Sequence, residues 1–502
     1  MIKIFSQNKI SKEILNKAFI RSFGNSKIKM QNEIYCFISP SENDEITIKN
    51  ILNGQKSKIL IFGKISSDLA SLIGLKLKEC NLKLDNIDFS HDRYEDKSNL
   101  LIRYNEHNLN KNNPIKNRFF YRFDFMNEWN NLGYGAISND DSIWSICNSL
   151  DVIDCEPLSH IYDLDEKVSV FSCVKNFDNS SILYINREVA TIDGLDWSIV
   201  EDFLTSYRSE ELASLPIISD IPSGYFSVVS SRLDCDQSII NSKSLVELYK
   251  KYGINISLAI STGINISRED IDFLNHFYTN GGGILSHTVN HHYYWGESYN
   301  IAYEEGIRSK KWLEESIENL SKLKYAVSPF HSNKTYSIQA LKDAGYDGFI
   351  SGIIHNDPEY LVSTSGEVPF IDYKIVSHSQ QCMLHGDCYH RRKNSIQIEK
   401  ESFENHYKSG KIFGYLDHPF GGYDYGWSSD EERLAVHEEF ITYINNFDGV
   451  KWMNCTEILD FVVDKSNLEI EIDKNDSLIL KRNSFNSKEK IKVIYKNKEY
   501  FC

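Results

Sequence analysis

Short apolar runs alternate with amphipathic stretches along the second half of this chain. The runs predict strands over 226–231, 254–260, 283–286, 325–328, 348–351, 371–376, 412–416 and 450–453. Between several of them, apolar positions recur at helical spacing, predicting helices over 242–252, 268–279, 305–322, 338–344 and 430–446. Repeated strand–helix units in one stretch of this length predict a parallel α/β barrel.

The first part of the chain has a looser pattern. Runs at 33–39, 58–62 and 181–186 predict buried strands, and 197–207 carries a helical apolar stripe. Gly63 opens a turn, and Ser66-Ser67-Asp68 predicts the N-cap of a helix over 69–78. That order suggests an open α/β domain over 1–215. Leu215-Pro216 and Ile221-Pro222-Ser223-Gly224 punctuate the chain before a barrel over 225–465. Alternating runs at 468–472 and 490–495 predict a small β appendage over 466–502.

Composition narrows the possibilities. With 502 residues, 41% of them hydrophobic, the chain can bury more than one core. A net charge of −16 speaks against a nucleic-acid partner or an anionic membrane surface. Ten cysteines are scattered without a Cys-x-x-Cys pair, which suits a reducing compartment. The first residues lack the apolar run of a signal peptide, and no stretch of about eighteen apolar residues predicts a transmembrane helix. A cytoplasmic location is therefore expected; oligomeric state is not legible.

Candidate chemistry gathers at the ends of predicted strands 1, 3 and 7, on the face where parallel barrels build active sites. Asp234 and Asp236 are two apart, so an extended chain points both to one face. They repel unless a cation or proton intervenes; one can bind metal while the other acts as a base. A pair of loop aspartates capping the next helix is the plainer alternative. His287 and His291, four apart, share a face if a helical turn begins there. An aromatic-packed surface loop with Tyr293, Tyr294 and Trp295 is the alternative. Two imidazoles and a carboxylate leave metal positions open for water and a substrate oxygen, as in hydrolytic sites. Amide hydrolysis then needs a base, which Asp234 fits, and an acid. His418, expected across a closed barrel from strand 1, fits the acid.

These residues resemble the polysaccharide deacetylases of carbohydrate esterase family 4 over about 225–460. Asp234-Cys235-Asp236 is similar to the family's first motif, His287-Thr288-Val289-Asn290-His291 to its second, and Leu416-Asp417-His418 to its late Leu-x-His. The resemblance implies an incomplete barrel of seven or eight strands. It also implies a metal triad of Asp236, His287 and His291, with Asp234 as base and His418 as acid. The ion implied is zinc, with cobalt or nickel as alternatives. The third motif, usually Arg-x-Pro-Tyr, is replaced by Val327-Ser328-Pro329-Phe330. The backbone N–H of Phe330 can still face an oxyanion, and Arg232 is the substitute for the missing arginine. The acidic residue that tunes the acid histidine has three candidates, Asp357, Asp387 and Asp417. Tyr415, Phe420, Tyr423, Tyr425 and Trp427 suit stacking on a sugar ring.

The expected activity is metal-dependent hydrolysis of an N-acetyl amide on an amino sugar, with acetate released. The enzyme class is a hydrolase acting on C–N bonds other than peptide bonds. In the cytoplasm a glycan precursor is a more plausible substrate than mature cell wall. An inactive deacetylase-like barrel that binds glycans or a partner is the alternative. A two-carboxylate glycosidase would leave the histidines idle.

Overall fold

A computed structural model describes residues 2–24, 33–79, 97–111, 113–114, 116–121, 146–189, 197–331, 333–351, 364–371, 374–379, 382–419, 426–473 and 477–502. The first sheet has eight strands. Four are parallel, in the order Lys3–Ser6, Glu33–Ile38, Ser57–Phe62 and Ser180–Ile185. Four antiparallel strands continue it: Glu166–Phe177, Glu156–Asp163, Lys97–Tyr104 and Asn117–Tyr121. The domain is thus half parallel and half antiparallel meander. The helix expected to reach 78 ends at Ile73, because Gly74 turns left-handed at φ 89°. A Cβ there would stand 2.0 Å from the Asp154 carbonyl oxygen, so only glycine fits.

The second sheet carries eight parallel strands. In chain order they are β1 (Ser227–Cys235), β2 (Ser257–Ile260), β3 (Gly283–Ser286), β4 (Tyr325–Val327), β5 (Gly348–Ser351), β6 (Val376–Ser379), β7 (Cys382–Met383) and β8 (Ile412–Asp417). Their spatial order is β6-β5-β4-β3-β2-β1-β8-β7. Only residues 380–381 separate β6 from β7 in sequence, although they lie at opposite ends of the parallel row, where the short strand Gly366–Glu367 pairs antiparallel with β6 as its outer edge. The sheet must therefore curl until its two edges lie close, although among the described residues no pairing joins them.

Alternation along each strand divides the side chains between two cores. Val229, Leu233 and Cys235 of β1 pack with Leu245 and Tyr249 of α1 (Lys243–Lys251) and with outer residues such as Phe440. Val228, Ala259, Leu285 and Ile350 face the other way. There they meet Ile458, Leu459 and Val462 of the helix Cys455–Ser466. That core also takes in Ile218 and Ile221 before the sheet and Leu468, Ile470 and Val493 after it. Lys492–Tyr495 pairs with Ile217–Ile218, so the expected appendage shares a core with the sheet and closes over the supposed linker.

Two sequence expectations shift. Strand β6 lies at Val376–Ser379 rather than 371–376, and β7 was not foreseen, being two residues long. The run at 450–453 forms Val450–Trp452 and pairs with the beginning of β1 as a ninth parallel segment. The helix Lys9–Phe23 is fastened to the edge of the second sheet by Arg21. Its guanidinium donates to the carbonyls of Glu367 and Thr364 and to Ser377 Oγ. Among the described residues no helix is long and apolar enough to cross a membrane, and none of the nine described cysteines forms a disulfide.

Lys58 is a cost carried by the first domain. It is fully buried, with Nζ 3.5 Å from the Leu204 carbonyl and 5.7 Å from the Phe203 ring centre. Burial, then the charge of Arg208, pull its amine from 10.5 down to about 7. The unfolded chain binds this proton more tightly, so the penalty is full below pH 7 and gone above 10.5. Lys58→Met is expected to stabilise by about 2–4 kcal/mol at neutral pH. The gain should shrink as pH rises towards 10, as followed by urea unfolding.

Candidate metal centre

Asp234, Asp236, His287, His291 and His418 sit at or just beyond the C-terminal ends of the parallel strands. Strand β1 runs to Cys235 with all nine residues buried. Its two-residue period therefore sends Arg232, Asp234 and Asp236 to one side. Arg232 forks onto Asp234, with Nε donating to Oδ1 at 2.6 Å and Nη2 to Oδ2 at 3.0 Å. Arg232, expected in place of the motif-three arginine, contacts the base candidate from the same strand, two residues away. Burial would raise the Asp234 carboxyl, but the charges of Arg232 and then His287 outweigh it and hold it at about 2. Asp234 is an anion across the physiological range.

Asp236 meets both histidines. His287 Nε2 is 3.1 Å from its Oδ1 and His291 Nε2 is 3.6 Å from its Oδ2. The two Nε2 atoms are 3.0 Å apart. His287 Nδ1 lies 3.0 Å from the Val327 carbonyl oxygen, which can only accept. That contact fixes the Nδ1–H tautomer in the neutral ring and leaves Nε2 as a bare lone pair. With His287 in that tautomer, the buried Asp236 Oδ1 faces a lone pair at 3.1 Å and accepts no hydrogen bond among the described residues. An orphan carboxylate oxygen and a bare imidazole nitrogen, converging with His291, make a donor set that fits a divalent cation. The ligand atoms of Asp236, His287 and His291 all lie within 4.8 Å of one another.

The segment carrying the histidines is not helical, contrary to the spacing argument. Thr288 and His291 take left-handed φ values of 68° and 53°. Two contacts hold that conformation. Thr288 Oγ1 accepts the His291 N–H at 2.8 Å. Glu305, on the helix Tyr299–Ser316, accepts the Val289 and Asn290 N–H groups at 2.8 and 2.9 Å and Asn290 Nδ2 at 2.6 Å. Glu305 went unnoticed in the sequence, where it reads as one more helix-surface acid fourteen residues beyond His291.

His418 follows β8, which pairs directly with β1 rather than lying opposite it. Its Nε2 is 3.4 Å from Asp236 Oδ2 and its Nδ1 is 2.9 Å from His385 Nε2. The two described candidate carboxylates, Asp417 and Asp387, are engaged elsewhere. Asp417 accepts the backbone N–H of His418 at 2.8 Å. It also takes Trp427 Nε1 at 3.1 Å and meets His437 Nε2 at 3.1 Å. Asp387 pairs with Arg391 at 2.7 Å, and Asp357 lies outside the described residues. His385, Asp417 and His418 could form a second donor group, but the Asp417 carboxylate is already committed to these three contacts.

The aromatic face also moves. Trp427 is 2% exposed and spends its N–H on Asp417, so it braces the acid side from within instead of meeting a sugar. Tyr415 is likewise buried, and Phe420, Tyr423 and Tyr425 lie outside the described residues. The exposed rings at the rim are Phe330 and Tyr293, at 38% and 36% exposure. Their centres are 5.3 Å apart, and Phe330 stands 4.6 Å from the His291 ring. Trp295, buried, ties the two loops by donating to Asn333 at 3.2 Å. His331, buried beside Arg232 and Asp234, is kept neutral by burial and by the arginine charge.

No family model and no curated protein matches the chain. Among solved structures it is similar to a protein assigned to the polysaccharide deacetylases from Mycobacterium smegmatis. The TM-score is 0.40 at 13% identity, over 48% of this chain and 92% of that one. It is also similar to a family 4 acetyl xylan esterase from Clostridium thermocellum in complex with a cobalt ion. There the TM-score is 0.31 at 12% identity, over 48% and 95%. A third is a carbohydrate esterase family 4 pseudoenzyme from Bacillus anthracis, with a TM-score of 0.33 at 14% identity, over 50% and 70%.

Glu305→Ala leaves the three ligands in place and removes their loop support. Divalent-ion affinity is expected to fall roughly 10–100-fold, by calorimetric titration, with little change in far-UV circular dichroism.

Proposed function

We propose that this chain is a metal-dependent N-deacetylase. It hydrolyses the N-acetyl amide of an amino sugar in a glycan or glycan precursor and releases acetate. One juxtaposition carries the proposal. The Asp236–His287–His291 donor set lies between an arginine-clamped carboxylate and a second, separately braced histidine. His287 Nε2 is 4.0 Å from Asp234 Oδ2 on one side, and Asp236 Oδ2 is 3.4 Å from His418 Nε2 on the other.

Asp236, His287 and His291 would hold zinc, or cobalt or nickel in its place. A divalent ion there would polarise the amide carbonyl and lower the pKa of the attacking water. Asp234 accepts the proton of that water and aligns it. A carboxylate held at about 2 is a poor proton store, so its main contribution is orientation. The water oxygen bonds to the carbonyl carbon while the backbone N–H of Phe330 faces the developing oxyanion. His418 gives a proton from Nε2 to the sugar nitrogen as the C–N bond breaks. Asp234 then loses its proton to solvent and His418 regains one. Phe330 and Tyr293 offer a fixed apolar wall to the sugar ring, the role first expected of Trp427. A reducing, cytoplasmic setting suits the thiols, and the net negative charge suits a partner other than nucleic acid.

Acetate release from an N-acetylated chitooligosaccharide, measured with bound-metal content, tests the activity. The wild type should bind about one ion and turn over. His287→Ala should lose the ion, whereas Asp234→Asn should keep it and lose activity by at least about 100-fold. An inert, metal-free wild type, even with zinc, cobalt or nickel supplied, would favour a binding module. Phe330→Ala keeps the backbone donor and should raise KM roughly tenfold with little effect on kcat.

A further inference from the structure

The buried imidazole of His385 has no part in the metal triad and no assignment in the chemistry above. It sits just beyond β7, the two-residue strand beside β8. Its Nε2 meets His418 Nδ1 at 2.9 Å, with ring centres 4.8 Å apart and both residues buried. The two described carboxylate candidates for that place are occupied elsewhere. Asp417 holds the backbone of His418 and the side chains of Trp427 and His437, and Asp387 is turned to Arg391.

We infer that His385 is the positioning residue of the acid histidine, accepting a hydrogen bond from His418 Nδ1–H and so reserving Nε2–H for the substrate nitrogen. The inference rests on the deacetylase proposal for its consequence but not for its geometry. An imidazolium His418 carries protons on both nitrogens. It donates Nε2–H to the leaving nitrogen as the amide C–N bond breaks, and ends as the neutral Nδ1–H tautomer. His385 gains and loses no proton in that step; it stays a neutral acceptor throughout. Burial pushes its pKa down to about 4, consistent with a ring that does not compete for the proton.

The choice of an imidazole has a physical consequence. A carboxylate on Nδ1 would stabilise the imidazolium by a full charge and weaken it as an acid. A neutral acceptor fixes the ring and tautomer without that attraction. Nearby, Gly386 is packed so tightly that a Cβ would stand 2.3 Å from Trp427 N. The His385 backbone therefore has little room to withdraw its ring from His418.

Two measurements on the full-length protein decide the matter. The first needs no turnover. In nitrogen-15 correlation spectra of the metal-free histidine rings, taken in an Asp236→Ala background that removes the carboxylate facing Nε2, neutral His418 should be a single Nδ1–H tautomer. His385→Ala should give a tautomer mixture, and His385→Gln, which keeps an acceptor, should restore the single form. An unchanged His418 tautomer in His385→Ala, or an Nε2–H tautomer with His385 intact, would overturn the inference even if the protein proves inert. The second compares two leaving groups on the cobalt-loaded protein. His385→Ala should slow acetate release from a chitooligosaccharide roughly 100-fold, because an amine must be protonated to leave. It should slow 4-nitrophenyl acetate less than about threefold, because a nitrophenolate leaves unaided. The cobalt absorption spectrum should not change, and added imidazole should recover part of the amide activity. Equal loss on both substrates, or no loss on the amide, would refute the positioning role. An inactive wild type alongside the expected tautomers would sink the deacetylase proposal and leave the His385–His418 pairing standing.

Discussion

Two carboxylates two residues apart on one face of a buried strand cannot both stay ionised without positive charge nearby. At an effective dielectric of about 20, like charges about 7 Å apart, the spacing of alternate residues on a strand, repel by ~2 kcal/mol. A typical hydrogen bond returns only ~1 kcal/mol. Asp234 and Asp236 at the end of β1 impose this constraint, and the mouth of the sheet is arranged around it. Arg232 compensates the first carboxylate from the same strand. His287, His291 and His418 crowd the second, whose Oδ1 is still without a hydrogen-bond partner among the described residues. The residual demand for positive charge is thus localised at Asp236, where the imidazole lone pairs converge.

The backbone accepts strain to meet that demand. Six non-glycine residues around the mouth are left-handed: Thr288, His291, Tyr294, Trp295, Phe330 and His331. Such conformations cost on the order of 1 kcal/mol or more each and persist only where the surroundings fix them. Here Glu305 fixes the 288–291 turn, and the Trp295–Asn333 bond, with Ser328 Oγ donating to Asn333 at 2.8 Å, joins the two loops. Local sequence preferences would not choose these angles, so the helix packing behind them must.

That division explains what could be read in advance. The parallel strands were legible because burial on both faces leaves apolar runs, and five helices were legible from their periodicity. Arg232, Asp234 and Asp236 share a face by the arithmetic of a strand alone, so their grouping was open to inspection. Glu305 and His385 were not. Each acts across more than a dozen residues of sequence through a loop whose path is set by tertiary packing. Strand β7 has only two residues and no pattern, and without it His385 had no visible address. The place of His418 was misjudged for the same reason: a strand missing from the expected order moves every later strand by one position.

The corrected order matters to the chemistry. With β8 beside β1, the acid and base candidates flank the ligand set on neighbouring strands of one curved wall. Their surroundings are opposite in kind. Asp234 is backed by a guanidinium and remains charged; the His418 ring is backed by a neutral imidazole, with Asp417, Trp427, His437 and Tyr249 linked beneath its backbone. A full charge behind the carboxylate favours its anion, and a neutral acceptor behind the histidine holds its ring in place. Separate environments of this kind let one wall hold two polar groups in different roles. In this chain the separation follows from which strand each group inherits its neighbour from: Arg232 from within β1, and His385 from β7, on the far side of β8.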